Sequence, residues 1–176
     1  MKGLVKMILQ ESLDKEKIYY ELTQINNILK TKQLYLDLKI VGGAALLFNG
    51  ITAIETIDVD VINQISEEIK EICFDFSLDI NDDALDYIHN FDNCEFIEDN
   101  HLFSNITISY LTLGSTIKTK LKSCDEEDKL EKLAYLLEDI LEVDMTVEGI
   151  SSYLEELGET PDLFDIENFL MELGYI

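Results

Sequence analysis

Two carboxylates two positions apart, Asp58 and Asp60, are the side chains in this sequence best arranged to do chemistry. They lie in the run TIDVDVI, Thr56 to Ile62, whose strict alternation reads as a β-strand. On a strand, residues i and i+2 share a face, so the two carboxylates stand about 7 Å apart. Carboxylates that close repel each other unless a cation sits between them. A hard divalent ion suits such a pair, because Mg²⁺ is commonly held by one or two carboxylates together with substrate phosphates. The competing reading is a strand whose outward face is merely solvated. Upstream, Gly42-Gly43 interrupts an apolar strand. Glycines without side chains let backbone N–H groups at a helix start approach a phosphate. A tight turn with unusual dihedrals would ask for the same residues.

These groups need a scaffold, and the hydrophobic pattern supplies one. Ile18, Leu22, Ile25, Ile28 and Leu29 make an apolar stripe that predicts a helix from about Glu16 to Lys32. Leu34 to Val41 reads as a strand, Ala44 to Phe48 as a short inner helix stopped near Gly50. Ser66 to Phe74 begins like a capped helix. Leu78 to Asn90 is less regular, with Asp82 or Asp83 able to cap a helix. Cys94 to Ile97 and Ile106 to Leu111 read as strands around a polar turn, Glu98 to Asn105. Helices resume from Ser115, and Leu130, Leu133, Ala134, Leu137 and Leu141 form the clearest amphipathic face. Val147 to Ile176 divides into two short helices near Gly158 to Pro161, with Pro161 placed to start the second. The expected fold is α/β (α+β), a small mixed sheet covered by helices. Residues 1–145 would form the main domain and 146–176 a helical C-terminal extension, in which Phe164, Ile166, Phe169, Leu170 and Leu173 require burial.

The combination of Val41-Gly42-Gly43 with Asp58-Val59-Asp60 resembles the nucleotidyltransferases of the DNA polymerase beta superfamily, in particular small stand-alone members that include toxin–antitoxin components. The stretch LGSTIKTKLKSCDEEDKLEKLAYLL, Leu113 to Leu137, is similar to their helical segment. The resemblance runs from about Leu34 to Leu141. It implies that Gly42 and Gly43 contact nucleotide phosphates, while Asp58 and Asp60 hold Mg²⁺ or Mn²⁺ in a two-metal arrangement. It also implies a third carboxylate on a neighbouring strand that helps activate the acceptor hydroxyl. Glu95 is the first candidate, with Asp75 and Asp79 behind it. The implied reaction moves a nucleoside monophosphate from a nucleoside triphosphate to a hydroxyl acceptor.

Two departures from that pattern concern charge and the glycine motif. Ala44 stands where relatives commonly carry Ser, and no cation lies between the glycines and the Asp pair. From Ile40 to Ile117 there is one basic residue, Lys70, against fifteen acidic ones. Phosphoryl transfer needs charge neutralisation by Lys, Arg and metals together, and Lys118, Lys120 and Lys122 are the later cations that could contribute. The whole chain of 176 residues carries 13 Lys, no Arg, and a net charge of −24. That charge argues against nucleic acid at the general surface and would attract a basic protein. The second expected function is therefore a catalytically weak or inactive acidic binding protein, an antitoxin or phosphate-mimicking inhibitor that neutralises a basic, nucleic-acid-handling partner.

The remaining residues exclude other classes. Cys73, Cys94 and Cys124 have no CxxC spacing, and with only His89 and His101 a His/Cys zinc site is not expected. Sparse, odd cysteines suit a reducing cytoplasm. MKGLVKMILQESLDKEK at the N-terminus does not read as a signal peptide, and no apolar run reaches the roughly 20 residues of a membrane helix.

Overall fold

The computed structural model describes residues 12–99 and 103–176. Most of the N-terminal stretch discussed above, His101 and part of the Glu98 to Asn105 turn lie outside them. The chain divides into two compact units. The first runs to Ile88 and takes in Phe96–Leu111; the second holds His89–Glu95 and Thr112–Ile176.

The first unit opens with helix α1, Lys15–Lys32. Asp14 caps it by accepting a hydrogen bond from the Lys17 N–H, and Gln33 ends it in the left-handed conformation at φ 57°. Its stripe, Ile18, Leu22, Ile25 and Leu29, is buried. Strand β1, Leu36–Ile40, buries every second side chain, so Leu36, Leu38 and Ile40 face the core while Asp37 and Lys39 face water. Helix α2, Gly42–Phe48, follows at once; it is short and nearly all apolar because it is packed inside. Then come β2, Val59–Asp60, α3, Glu67–Asp75, and β3, Ile80–Asn81. Ser66 caps α3 by accepting from the Ile69 N–H at 3.3 Å. A 3₁₀ segment, Asp83–Phe91, whose last three residues belong to the second unit, occupies the irregular stretch, with Tyr87 outside helical dihedrals. Strands β4, Phe96–Glu98, and β5, Ile106–Leu111, complete the unit.

β5 lies between β1 and β4, parallel to the first and antiparallel to the second. β2 and β3 pair in parallel. An antiparallel bridge, Ile40 to Val61, joins β2 to the end of β1. Val41 N–H donates to the Asp60 carbonyl there at 2.8 Å, and Ile62 N–H to Lys39 at 3.0 Å. Among the described residues there are thus two sheets, a mixed one of three strands in the order β1-β5-β4 and a parallel pair β2-β3, with that single bridge between them. The expected Thr56 to Ile62 strand is shorter than the alternation suggested: Val59 and Val61 are buried, but Ile57 is half-exposed. The chain bends at Ile57 and Asp58 before it meets a partner strand. The Cys94 to Ile97 strand likewise starts later, at Phe96.

The second unit is helical: α4, Leu113–Lys122, α5, Glu127–Ala134, α6, Val147–Glu156, and α7, Leu163–Glu172. A π-helical segment, Tyr135–Ile140, continues α5. Its wider turn, with Leu141 N–H reaching Leu136 at 2.9 Å, rotates the apolar face. Leu136 and Leu137 are fully buried, whereas Leu141 is only partly so. Asp162, not Pro161, caps α7, accepting from Phe164 and Asp165 N–H groups. Ile166, Phe169 and Leu170 are buried; Phe164 is 70% exposed and so departs from the expected set. Glu159 is a partly exposed residue whose carboxylate end is largely covered. It accepts from the Ser115 hydroxyl at 2.7 Å and faces Lys118 Nζ at 3.4 Å. Gly114 leaves room for it, since a Cβ there would lie 2.6 Å from Glu159 Cγ.

Candidate active site: a carboxylate face on the short parallel pair

The β2–β3 register puts Val59 beside Ile80 and Asp60 beside Asn81. Extended by one residue, it sets Asp58 level with Asp79, whose carbonyl accepts from the Val59 N–H at 2.8 Å. Period-two alternation then sorts the two faces. Val59, Val61, Leu78 and Ile80 are buried on one side. Asp58, Asp60, Asp79 and Asn81 line the other, all partly exposed. One face of two short strands thus presents three carboxylates and an amide.

Local bonds fix this face. Thr56 is anchored through its carbonyl, which accepts from the Leu13 N–H at 2.7 Å, and its hydroxyl donates to the Asp58 carbonyl at 3.1 Å. The Asn81 side-chain oxygen accepts from the Asp83 N–H at 2.9 Å. That leaves its amide N–H₂ to donate to the Asp58 carboxylate. Burial first, and then the Asp79 carboxylate, hold Asp58 above the usual carboxylate range; Asp83 adds to this, while the Asn81 hydrogen bond opposes it.

The glycine pair packs against the same segment. Gly42 has φ +64°, and a Cβ on it would stand 3.0 Å from Asp60 Oδ2. A Cβ on Gly43 would stand 3.2 Å from Thr56 Cβ and Oγ1. A side chain at either position would press on Asp60 or Thr56, and at Gly42 the left-handed backbone favours glycine as well. Gly42 thus stands against Asp60 and Gly43 against Thr56, while the groups acting on Asp58 are Asp79, Asn81 and Asp83. Glu95 belongs to the second unit. It is exposed, its N–H donates to Ser115 Oγ at 2.9 Å, and its carbonyl accepts from the Thr112 N–H at 3.0 Å. Asp75 ends α3.

A family described as "Nucleotidyltransferase of unknown function (DUF6036)" matches residues 17–145. The chain belongs to this family. No curated protein and no solved structure matches it. In this nucleotidyltransferase-family protein, the matched residues contain the whole carboxylate face, both glycines and Glu95.

Among the described residues, no group of three His, Cys, Asp or Glu side chains is placed to hold a metal ion. The donors at this corner are hard carboxylate oxygens, the type that Mg²⁺ or Mn²⁺ takes together with phosphate oxygens. Asp58 is disfavoured as an anion first by burial and then by Asp79. Lys70, the one cation between Ile40 and Ile117, is already engaged: its Nζ lies 2.7 Å from Asp82 and 3.4 Å from Glu67. In the second unit Lys118 is paired with Glu159. No helix among the described residues is long and apolar enough to cross a membrane.

Asn81 and Asp79 are the site residues that the sequence pattern under-reported. The signal was there: LDIN, Leu78 to Asn81, repeats the apolar–polar alternation of IDVD. Four residues are too few to distinguish such a strand from a turn without its partner.

Proposed function

We propose that the protein transfers a nucleoside monophosphate from a nucleoside triphosphate to a hydroxyl acceptor, using the Asp58, Asp60 and Asp79 face. The observation that supports this most is the apposition of Gly42 to Asp60 on a strand pair that also gathers Asp58 and Asp79, in a chain of a nucleotidyltransferase family. Asp58 and Asp60 would hold Mg²⁺ or Mn²⁺. When bound, the metal would supply neutralisation of phosphate charge and stabilise the attacking and leaving oxygens. Gly42 and Gly43 let the triphosphate approach the backbone closely. Asn81 orients Asp58 through its amide. The acceptor oxygen forms a bond to the α-phosphorus, the bond to the β-phosphate oxygen breaks, and pyrophosphate leaves with that electron pair. The hydroxyl proton passes to a carboxylate, a role supported for Asp79 by its electrostatic contact with Asp58.

Calorimetric titration of Mn²⁺ with ATP into the wild type and an Asp58→Asn, Asp60→Asn double mutant tests this. Metal-dependent nucleotide binding that the mutant loses is expected. Equal binding by both proteins, or binding by neither, would refute the proposal.

A second reading is favoured by the capture of Lys70 by Asp82 and Glu67. With that cation occupied, phosphate charge would fall on the metal alone. The fold would then serve as an acidic binding protein that neutralises a basic, nucleic-acid-handling partner, and association would survive the double substitution.

A further inference from the structure

Helix α7 carries apolar side chains on both its faces. Ile166, Phe169 and Leu170 make the inner face and are buried. On a helix of about 3.6 residues per turn, Phe164 and Met171, seven positions apart, fall on one line opposite that inner face. Phe164 is 70% exposed and Met171 61%. Single exposed apolar side chains are ordinary on a protein surface. A helix apolar on both sides is instead the kind that is covered on both. Asn168 lies between the two, and exposed carboxylates border the line, Glu167 on one side and Glu172 on the other.

Charge decides what can cover this strip. Val147 to Ile176 holds eight acidic side chains and no basic one. In α4, Lys118 and Lys122 offset Glu159 and Asp165. A second copy of the chain would set the same carboxylates against Glu167 and Glu172, and like charges across an interface oppose association. Nucleic acid is repelled for the same reason. The matching surface is a helix whose own apolar line is bordered by Lys or Arg on both edges. Its apolar side chains would pack on Phe164 and Met171, and its cations would meet Glu167 and Glu172, as e and g charges do beside the a/d seam of a coiled coil. Phe and Met are side chains that interfaces favour, and the flexible thioether of Met adapts to the partner's shape.

From this spacing and charge we infer that the outer face of α7 docks a basic amphipathic helix of a partner protein. The strip lies in the second unit, beyond the family-matched residues 17–145. The inference holds whether or not the carboxylate face transfers nucleotides.

Because a net charge of −24 draws any polycation, the test separates the strip from charge alone. A fluorescent 18-residue Lys/Leu/Ala peptide with helical amphipathic spacing is titrated into the full chain at physiological salt, alongside a scrambled peptide of the same composition. The amphipathic peptide should bind at least tenfold more tightly than the scrambled one. Phe164→Ala, Met171→Ala, which leaves the charge unchanged, should lose at least fivefold. Glu167→Lys, Glu172→Lys should lose at least tenfold. Glu71→Lys, Glu131→Lys, an equal change in net charge at exposed positions outside α7, should lose less than threefold. If the Lys variant of the strip fails to fold, Glu167→Gln, Glu172→Gln should still show at least a threefold loss. Asp58→Asn, Asp60→Asn should bind the peptide as the wild type does, so failure here is distinct from failure of nucleotide binding. Equal affinities for both peptides, equal losses in the charge-matched variants, full affinity after Phe164→Ala, Met171→Ala, or displacement by spermine at peptide-like concentrations would overturn the inference. So would a dimer in sedimentation that Phe164→Ala, Met171→Ala dissolves, because a second copy would then be the occupant.

Discussion

Replacing Gly42 by Ala tests whether the glycine motif and the carboxylate pair form one unit. Two costs are legible. At φ +64° the backbone is left-handed, which costs a non-glycine residue about 1–2 kcal/mol. The new Cβ would also stand 3.0 Å from Asp60 Oδ2, so the carboxylate must shift by a few tenths of an ångström. The first cost is independent of Asp60; the second vanishes when Asp60 is truncated. A double-mutant cycle of Gly42→Ala with Asp60→Ala therefore separates them. Urea unfolding followed by circular dichroism should show Gly42→Ala losing about 2 kcal/mol in the wild type, with about 0.5–1 kcal/mol less lost when Asp60 is already Ala. The slope against urea should stay constant, which identifies the change as one of stability. A coupling of zero would refute the apposition of Gly42 and Asp60, and with it the reason given for the first glycine.

Two further substitutions probe the charge network and the helical unit. Asp82 is held below the usual carboxylate range, chiefly by the Lys70 hydrogen bond and then by the Ile65 N–H. A depressed carboxylate contributes stability above its unfolded pKa of about 3.9, and this is lost as pH falls through its lower native value. Asp82→Asn should cost about 1 kcal/mol in urea unfolding at pH 7, and its gap to the wild type should close as the pH falls below about 4. An unchanged gap at low pH would show that the loss is not electrostatic. Gly114→Ala would place a Cβ 2.6 Å from Glu159 Cγ, an overpacking that costs about 1–3 kcal/mol and should lower the melting temperature; an unchanged melting temperature would mean that Glu159 is free to swing away.

Much of the fold is legible because the longer elements carry their own periodicity. The α1 stripe of Ile18, Leu22, Ile25 and Leu29 and the β5 run from Ile106 to Leu111 behave as their patterns require. What fails is what pattern alone does not encode. Ile57 alternates correctly with Val59 but is exposed, because the ladder begins one residue after Asp58. Leu141 continues a heptad-like stripe yet yields to Leu136, because a π-turn changes the angular step. At the site, the i, i+2 rule treats Asp58 and Asp60 as members of one strand, whereas the strand holds Asp60 and begins one residue after Asp58. The contribution of Asp79 and Asn81 depended on a parallel pairing across about twenty intervening residues, which a single sequence does not specify.

The brevity of that pairing has its own consequence. β2 and β3 share two residue pairs, held by Val59 and Val61 N–H groups donating to Asp79 and Asn81 carbonyls, each at 2.8 Å. Beside the five-pair β1–β5 ladder, this is a short pairing, and short pairings are the kind that can open locally without global unfolding. The carboxylates are displayed on that segment. A ligand gripping Asp58 and Asp79 together would therefore add a clamp to two strands that share only two residue pairs, and part of its binding free energy would appear as suppressed local opening. The closure of this corner and the filling of the site would be one event, with each raising the equilibrium constant of the other.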